Sequence, residues 1–207
     1  MSDRADVLKS LVRQGLSRAG NAVRKIGPLE RARQAMREMV DSRAIIDEAT
    51  IAAEVAYVSS VESVSIRLRD GALRFEAILD GGDELPLSLF PTGALFAPRG
   101  AKEIRFRVEP DRAVDRSATS DIAGAVGALV ARRLWGPFLR DATAGERALV
   151  DRRGAELTMD LRTVPSVRKL EQRSKRALML DVFDLRSLGV ENGKLVLSIG
   201  LPVSRFG

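Results

Sequence analysis

The sequence contains no histidine and no cysteine among its 207 residues. Histidine has the unperturbed side-chain pKa nearest neutrality, and it is the commonest general base and metal ligand. Without these residues, catalytic triads built on His or Cys, zinc sites with nitrogen or sulfur ligands, iron–sulfur clusters and disulfides are excluded. Catalysis by carboxylates alone and the binding of metals through oxygen ligands are still possible. We therefore predict no catalytic residue, no metal site and no cofactor.

Aromatic residues are also scarce, at 4% of the chain, with one Trp and one Tyr. Hydrophobic residues make up 45% and charged residues 30%, a composition typical of globular proteins, so the core must be built from Leu, Val, Ile and Ala. No apolar run reaches the length of a transmembrane helix or of the core of a signal peptide. The expected location is cytoplasmic, or peripheral at the inner membrane.

The excess of positive charge is concentrated near the N-terminus. Residues 1–26 carry six basic and two acidic side chains, while the whole chain has a net charge of +6. Apolar residues recur there every three or four positions, which predicts a basic amphipathic helix over residues 1–27 as an appendage to a single α+β domain over 28–207. The basic residues assigned to a membrane surface are Lys9, Arg13, Arg18, Arg24 and Lys25.

Three interpretations of this helix are open. It packs on its own domain as a surface helix, it lies on an anionic membrane surface, or it binds nucleic acid. Its composition fits a membrane-surface helix, although it lacks an interfacial Trp or Phe. Nucleic acid is the least favoured partner, because no aromatic side chains interleave with the basic ones and no reading motif follows.

The spacing of apolar residues predicts helices followed by strands. A period near 3.6 predicts helices over 29–58 and about 119–135, and a capping-box pattern predicts a short helix after Thr143. A period of two predicts antiparallel strands joined by turns at Asp70-Gly71, at 80–83 and at 191–193. The predicted strands are centred on 64–68, 73–79, 85–89, 104–108, 157–161, 178–182 and 195–199, with a loop over 91–100.

Two short motifs suggest chemistry, and both have simpler interpretations. Ser166 and Lys169 match the S-x-x-K spacing of a nucleophile beside an amine, but the accompanying motifs of the penicillin-recognising enzymes are absent. Asp80, Asp83 and Glu84 would offer three carboxylates to a calcium ion, but the longer ligand series of an EF-hand is missing. A chance match and a hairpin turn explain these two patterns.

Four segments carry a resemblance to a known superfamily. These are VESVSIRLRDGALRF (61–75), LTMDL (157–161), VPSV (164–167) and LDVFDLRSLGVENGKLVLS (180–198). Their layout resembles bacterial members of the tubular lipid-binding (TULIP) superfamily. The resemblance covers about 61–199 and implies a curved antiparallel sheet wrapped on a long helix, with lipid held in an apolar groove. It implies no catalytic residue, and the chain lacks the export signal usual among those relatives.

We therefore predict an α+β protein that binds a lipid or other apolar ligand, without catalysis, in a groove between sheet and helix, at a membrane surface. The alternative is a structural or protein-interaction module with a filled core and an N-terminal helix that docks on a partner. A third hypothesis is an enzyme that uses carboxylates alone. The residues expected to line the groove are Val64, Ile66, Leu68, Phe75, Ile104, Phe106, Leu129, Trp135, Leu157 and Met159.

Removal of residues 1–27 tests the membrane-surface interpretation. If the basic amphipathic helix anchors the protein, the truncated protein should float less with anionic liposomes than the full chain, and the difference should shrink at high salt because the attraction is partly electrostatic. Neutral liposomes serve as the control. Equal flotation of the two proteins would show that this segment does not anchor the chain.

Overall fold

The computed structural model describes residues 43–97, 99–110, 116–139, 142–172, 180–181 and 184–200. The predicted N-terminal helix, with Lys9, Arg13, Arg18, Arg24 and Lys25, lies outside the described residues. Within them the chain is α+β, and every strand pairing is antiparallel. The strands are β1 Arg43–Asp47, β2 Val61–Arg69, β3 Ala72–Leu79, β4 Glu84–Phe96, β5 Lys102–Glu109, β6 Leu149–Arg153, β7 Glu156–Asp160, β8 Asp184–Glu191 and β9 Lys194–Gly200.

These strands form two sheets. The larger sheet has six strands in the order β2-β3-β4-β5-β7-β6, and the smaller has three in the order β1-β9-β8. The β2–β3 hairpin turns at Asp70 and Gly71, both of which have positive φ. Asp-Gly is a preferred pair for such a two-residue turn, since the second position has no Cβ to clash. The predicted turns at 80–83 and 191–193 are confirmed as well.

In the described part of the chain, three α-helices accompany the sheets: α1 Glu48–Val55, α2 Arg116–Trp135 and α3 Pro165–Glu171. Helix α1 begins after Asp47, whose side chain accepts a hydrogen bond of 2.7 Å from the backbone N–H of Thr50. Hydrogen bonds from the side chain and from the backbone of Thr50 lower the pKa of the Asp47 carboxyl, because they stabilise its charged form. Helix α2 matches the predicted helix and gives way to a 3₁₀ turn at Gly136–Phe138.

The six-stranded sheet buries one of its two faces. In β3, Phe75, Ala77 and Leu79 are buried, while Glu76 and Ile78 between them are exposed; Leu73 is buried as well. This alternation follows from the pleat of a strand, which sends successive side chains to opposite faces. Helix α2 packs on β6 and β7 at one end of the sheet, and β8 packs on β4 towards the other. The buried residues of both sheets and the helices form one continuous hydrophobic cluster.

Two of the predicted elements are wrong in part. The helix predicted over 29–58 is confirmed over Glu48–Val55, and its residues 29–42 lie outside the described ones, but it also includes β1, whose Ile46 pairs with Leu195 of β9. This partner lies far along the chain, so helical periodicity could not reveal it. The loop predicted over 91–100 continues β4 as far as Phe96, because a bulge between Pro91 and Gly93 lets the strand pass a proline that cannot donate to the ladder.

Two further predictions fail near the C-terminal half. The residues after Thr143 are not helical before β6 begins at Leu149. Across the turn at 191–193, the strand that pairs with β9 is β8, Asp184–Glu191, rather than one at 178–182. Leu180 itself lies in a short 3₁₀ segment. Both errors have the same cause. A short local sequence pattern predicted one conformation, but strand pairing determines the conformation there.

A substitution at Gly124 tests how closely α2 approaches the sheet. A Cβ there would lie 2.7 Å from the carbonyl oxygen of Ala148. Ala would raise helix propensity by about 1 kcal/mol, but the forced shift of backbone should cost about 1–3 kcal/mol. We expect Gly124→Ala to lower the free energy of unfolding in urea. Gly189→Ala, with open space at its Cβ, is the control. A stabilised Gly124→Ala variant would contradict this packing.

Candidate functional site

The ten residues predicted to line a groove lie in the hydrophobic core. Eight of them are buried: Ile66, Leu68, Phe75, Ile104, Phe106, Trp135, Leu157 and Met159. The other two, Val64 and Leu129, are partly buried and pack against the same cluster. The structure therefore brings the predicted residues together, and it places them in the interior formed by the inner face of the six-stranded sheet and α2.

Helix α2 and the strands beside it approach each other too closely to leave a channel at Gly124 and Gly127. Gly124 accepts a backbone hydrogen bond of 3.0 Å from Ala148. A Cβ on Gly127 would lie 3.0 Å from the Cβ of Ala148 and 3.2 Å from the Sδ of Met159. Small residues on one helix face permit this approach. At the β6–β7 end of the interface, side chains and backbone fill the space between helix and sheet.

The buried side-chain carboxylates have structural partners. Glu54 forms an ion pair with Arg132, and its other oxygen accepts a 3.0 Å hydrogen bond from the backbone of Gly145. These contacts tie α1 to α2 and to the segment that precedes β6. A buried pair of this kind holds elements in register, and breaking one leaves a charge uncompensated. In the residues the structure describes, no cluster of three or more acidic side chains is arranged to hold a metal ion.

The Ser166–Lys169 pattern has a structural explanation too. The hydroxyl of Ser166 is buried and donates a 2.5 Å hydrogen bond to Glu146, whereas the side chain of Lys169 is exposed. Ser166, near the start of α3, is therefore held in place by the carboxylate of Glu146. This contact satisfies two buried polar groups.

The outer face of the six-stranded sheet presents a different set of residues. Arg67 of β2 lies directly opposite Arg74 of β3, Arg74 lies opposite Ser88 of β4, and Ser88 lies opposite Glu109 of β5. These four residues form one row across the sheet, on the face opposite the core. Two arginines thus occupy adjacent places on neighbouring strands.

This row opens into a cleft, here called the arginine cleft, with a volume of about 170 Å³. Its position is set by the β2–β3 hairpin, by the middle of β4 and by the end of β5. The lining residues are Ser65, Arg67, Arg69, Arg74, Phe75, Glu76, Pro86, Leu87, Ser88, Glu109 and Pro110. Three arginines and two glutamates therefore surround a small open space.

Only some of the charged side chains of the arginine cleft form ion pairs. Arg74 forms an exposed ion pair of 3.1 Å with Asp70, and Glu109 forms one of 3.2 Å with Arg107, outside the cleft. Neither Arg67 nor Arg69 has an ion-pair partner in the described part of the chain. The Nε of Arg74 is buried and has no hydrogen-bond partner. Three arginines therefore line the cleft, and two of them, Arg67 and Arg69, carry a charge that no acidic side chain of the described residues neutralises.

These residues were not predicted from the sequence, although part of the signal was present. A two-residue turn at Asp70-Gly71 fixes the pairing of the hairpin, so Arg67 must lie opposite Arg74. The positions of Ser88 and Glu109 in the cleft could not be predicted from a turn, because they depend on the register of β4 and on the bulge at Pro91.

No family model matches this chain, and no curated protein or solved structure is significantly similar to it. The resemblance to tubular lipid-binding proteins thus rests on the pattern of strands and turns alone. Among the described helices, none combines the length and the apolar character needed to cross a bilayer.

Proposed function

We propose that this protein is a non-catalytic binding module that takes an anionic group in the arginine cleft. The observation that carries this proposal is the direct pairing of Arg67 with Arg74 across β2 and β3, in a cleft where Arg67 and Arg69 have no ion-pair partner among the described residues. Like charges placed directly opposite each other on neighbouring strands destabilise a sheet. An anion between them would turn this repulsion into two attractive contacts.

Arginine is suited to this role. Its guanidinium group stays charged and presents N–H donors in a fixed plane, which matches the oxygens of carboxylates and phosphates. Ser65 and Ser88 add hydroxyl donors beside the arginines. Since Asp70 engages only one terminal nitrogen of Arg74, the other terminal nitrogen is left to bind an oxygen from solution.

The size of the cleft limits what it holds. At about 170 Å³ it is smaller than the usual range of roughly 300–1,000 Å³ for pockets that enclose a drug-sized ligand. The cleft therefore suits one anionic group with a short attachment. The three arginines in the lining favour a charged group over an acyl chain, since burying a charged arginine against hydrocarbon is costly.

Replacement of Arg67 tests the proposed function. Titration with inorganic phosphate at constant ionic strength should shift the Nε–H resonance of Arg74 in a saturable way. Arg67→Gln should weaken this binding by about tenfold or more, since it removes a charge-assisted contact. Arg153→Gln, on β6 of the same sheet and paired with Asp151, is the matched control. Absence of a saturable shift, or equal effects of the two variants, would refute the proposal.

Binding of a lipid or other apolar ligand, with the sheet curved around the helix to form a groove, is the sequence-based hypothesis that competes with the anion site. The close contacts at Gly124 and Gly127 argue against an opening at one end of that interface. We expect native mass spectrometry of the purified protein, followed by organic extraction, to yield the mass of the chain alone. A stoichiometric co-purified lipid would overturn this expectation and favour the apolar groove.

A further inference from the structure

The arginine cleft contains a second row of residues beside the basic one. Ser65 lies opposite Glu76, and Glu76 lies opposite Pro86, two positions along the strands from the pair formed by Arg67 and Arg74. Two residues along a strand correspond to about 7 Å. Glu76 is exposed and has no ion-pair partner in the described ranges. The cleft thus offers donors at one end and a free carboxylate at the other.

This arrangement restricts the ligand, because an isolated anion would be attracted by the arginines and repelled by Glu76. A ligand that carries hydrogen-bond donors next to its anionic group satisfies both rows. We propose, on the basis of the function proposed above, that the cleft binds the phosphate monoester of a short polyol. The phosphate lies between Arg67 and Arg74, and the hydroxyls reach Glu76 and Ser65.

The geometry of the basic row favours phosphate over carboxylate. A carboxylate is planar and is satisfied by the fork of a single guanidinium. A phosphate monoester has three terminal oxygens in a tetrahedral arrangement and carries up to two negative charges near neutral pH. It can therefore bridge two arginines whose backbones are neighbours across the sheet, and it can still accept from the hydroxyl of Ser88.

The second row favours hydroxyls over an amine. An ammonium group would be attracted by Glu76, but it would share about 170 Å³ with three arginines, and like charges repel strongly at such distances. A hydroxyl donates to the carboxylate without adding a positive charge. Ser65, on the strand beside Glu76, can accept from or donate to a second hydroxyl.

Titrations with two phosphate esters, followed by calorimetry or by the Nε–H resonance of Arg74, test this inference. The probes are methyl phosphate, which has no hydroxyl group on its carbon, and glycerol 3-phosphate, which has two, at matched ionic strength. We expect glycerol 3-phosphate to bind about tenfold more tightly, as hydrogen bonds to a charged acceptor are among the stronger ones.

The Glu76→Gln variant adds a readout that a general loss of structure would not give. Removal of the negative charge should tighten the binding of methyl phosphate and at the same time reduce the preference for glycerol 3-phosphate. Glu84→Gln, an exposed position on β4 of the same sheet that does not line the cleft, is the control and should change neither affinity.

The outcomes separate this inference from the proposed function. If both esters bind with equal affinity, or if Glu76→Gln leaves the preference unchanged, the assignment of a polyol phosphate is wrong while the anion site stands. If neither ester binds to the intact protein, the proposed function itself is overturned.

Discussion

The burial of one face of the six-stranded sheet is the constraint on which the rest of the structure depends. Leu73, Phe75 and Ala77 of β3 must point into the core beneath α2 and the smaller sheet. Since the pleat has a period of two, this choice sends Arg74 and Glu76 to the opposite face. The polar row of the arginine cleft is thus a direct consequence of how the hydrophobic residues are spaced.

Much of the larger sheet could be predicted from the sequence because its signals are local. The alternation in 64–68 and 73–79 and the Asp70-Gly71 turn specify the β2–β3 hairpin within twenty residues, and the structure confirms it. Helix α2 was recognisable from its apolar period. In each case the residues that decide the conformation lie close together in the chain.

The remaining features depend on residues far apart in the sequence. β1 is a strand because β9 pairs with it, and β4 passes Pro91 because a bulge realigns it with β5. The apolar residues predicted to surround a ligand were identified correctly as inward-facing. Whether such side chains enclose a space or pack together depends on volume, which Gly124 and Gly127 control through the approach of α2 and which the composition does not encode.

The pairing of β1 with β9 has a consequence for the way the chain reaches its final form. Arg43 lies opposite Ser198, so β1, the first described strand to be synthesised, finds its neighbour only when the last one is made. Contacts between residues so far apart close a large loop, and such closure is slow because of its entropic cost. On the ribosome, the six-stranded sheet is complete in sequence before the smaller sheet can assemble. The exposed edge of β1 must therefore stay soluble throughout translation, a requirement that the flanking charges of Arg43 and Asp47 help to meet.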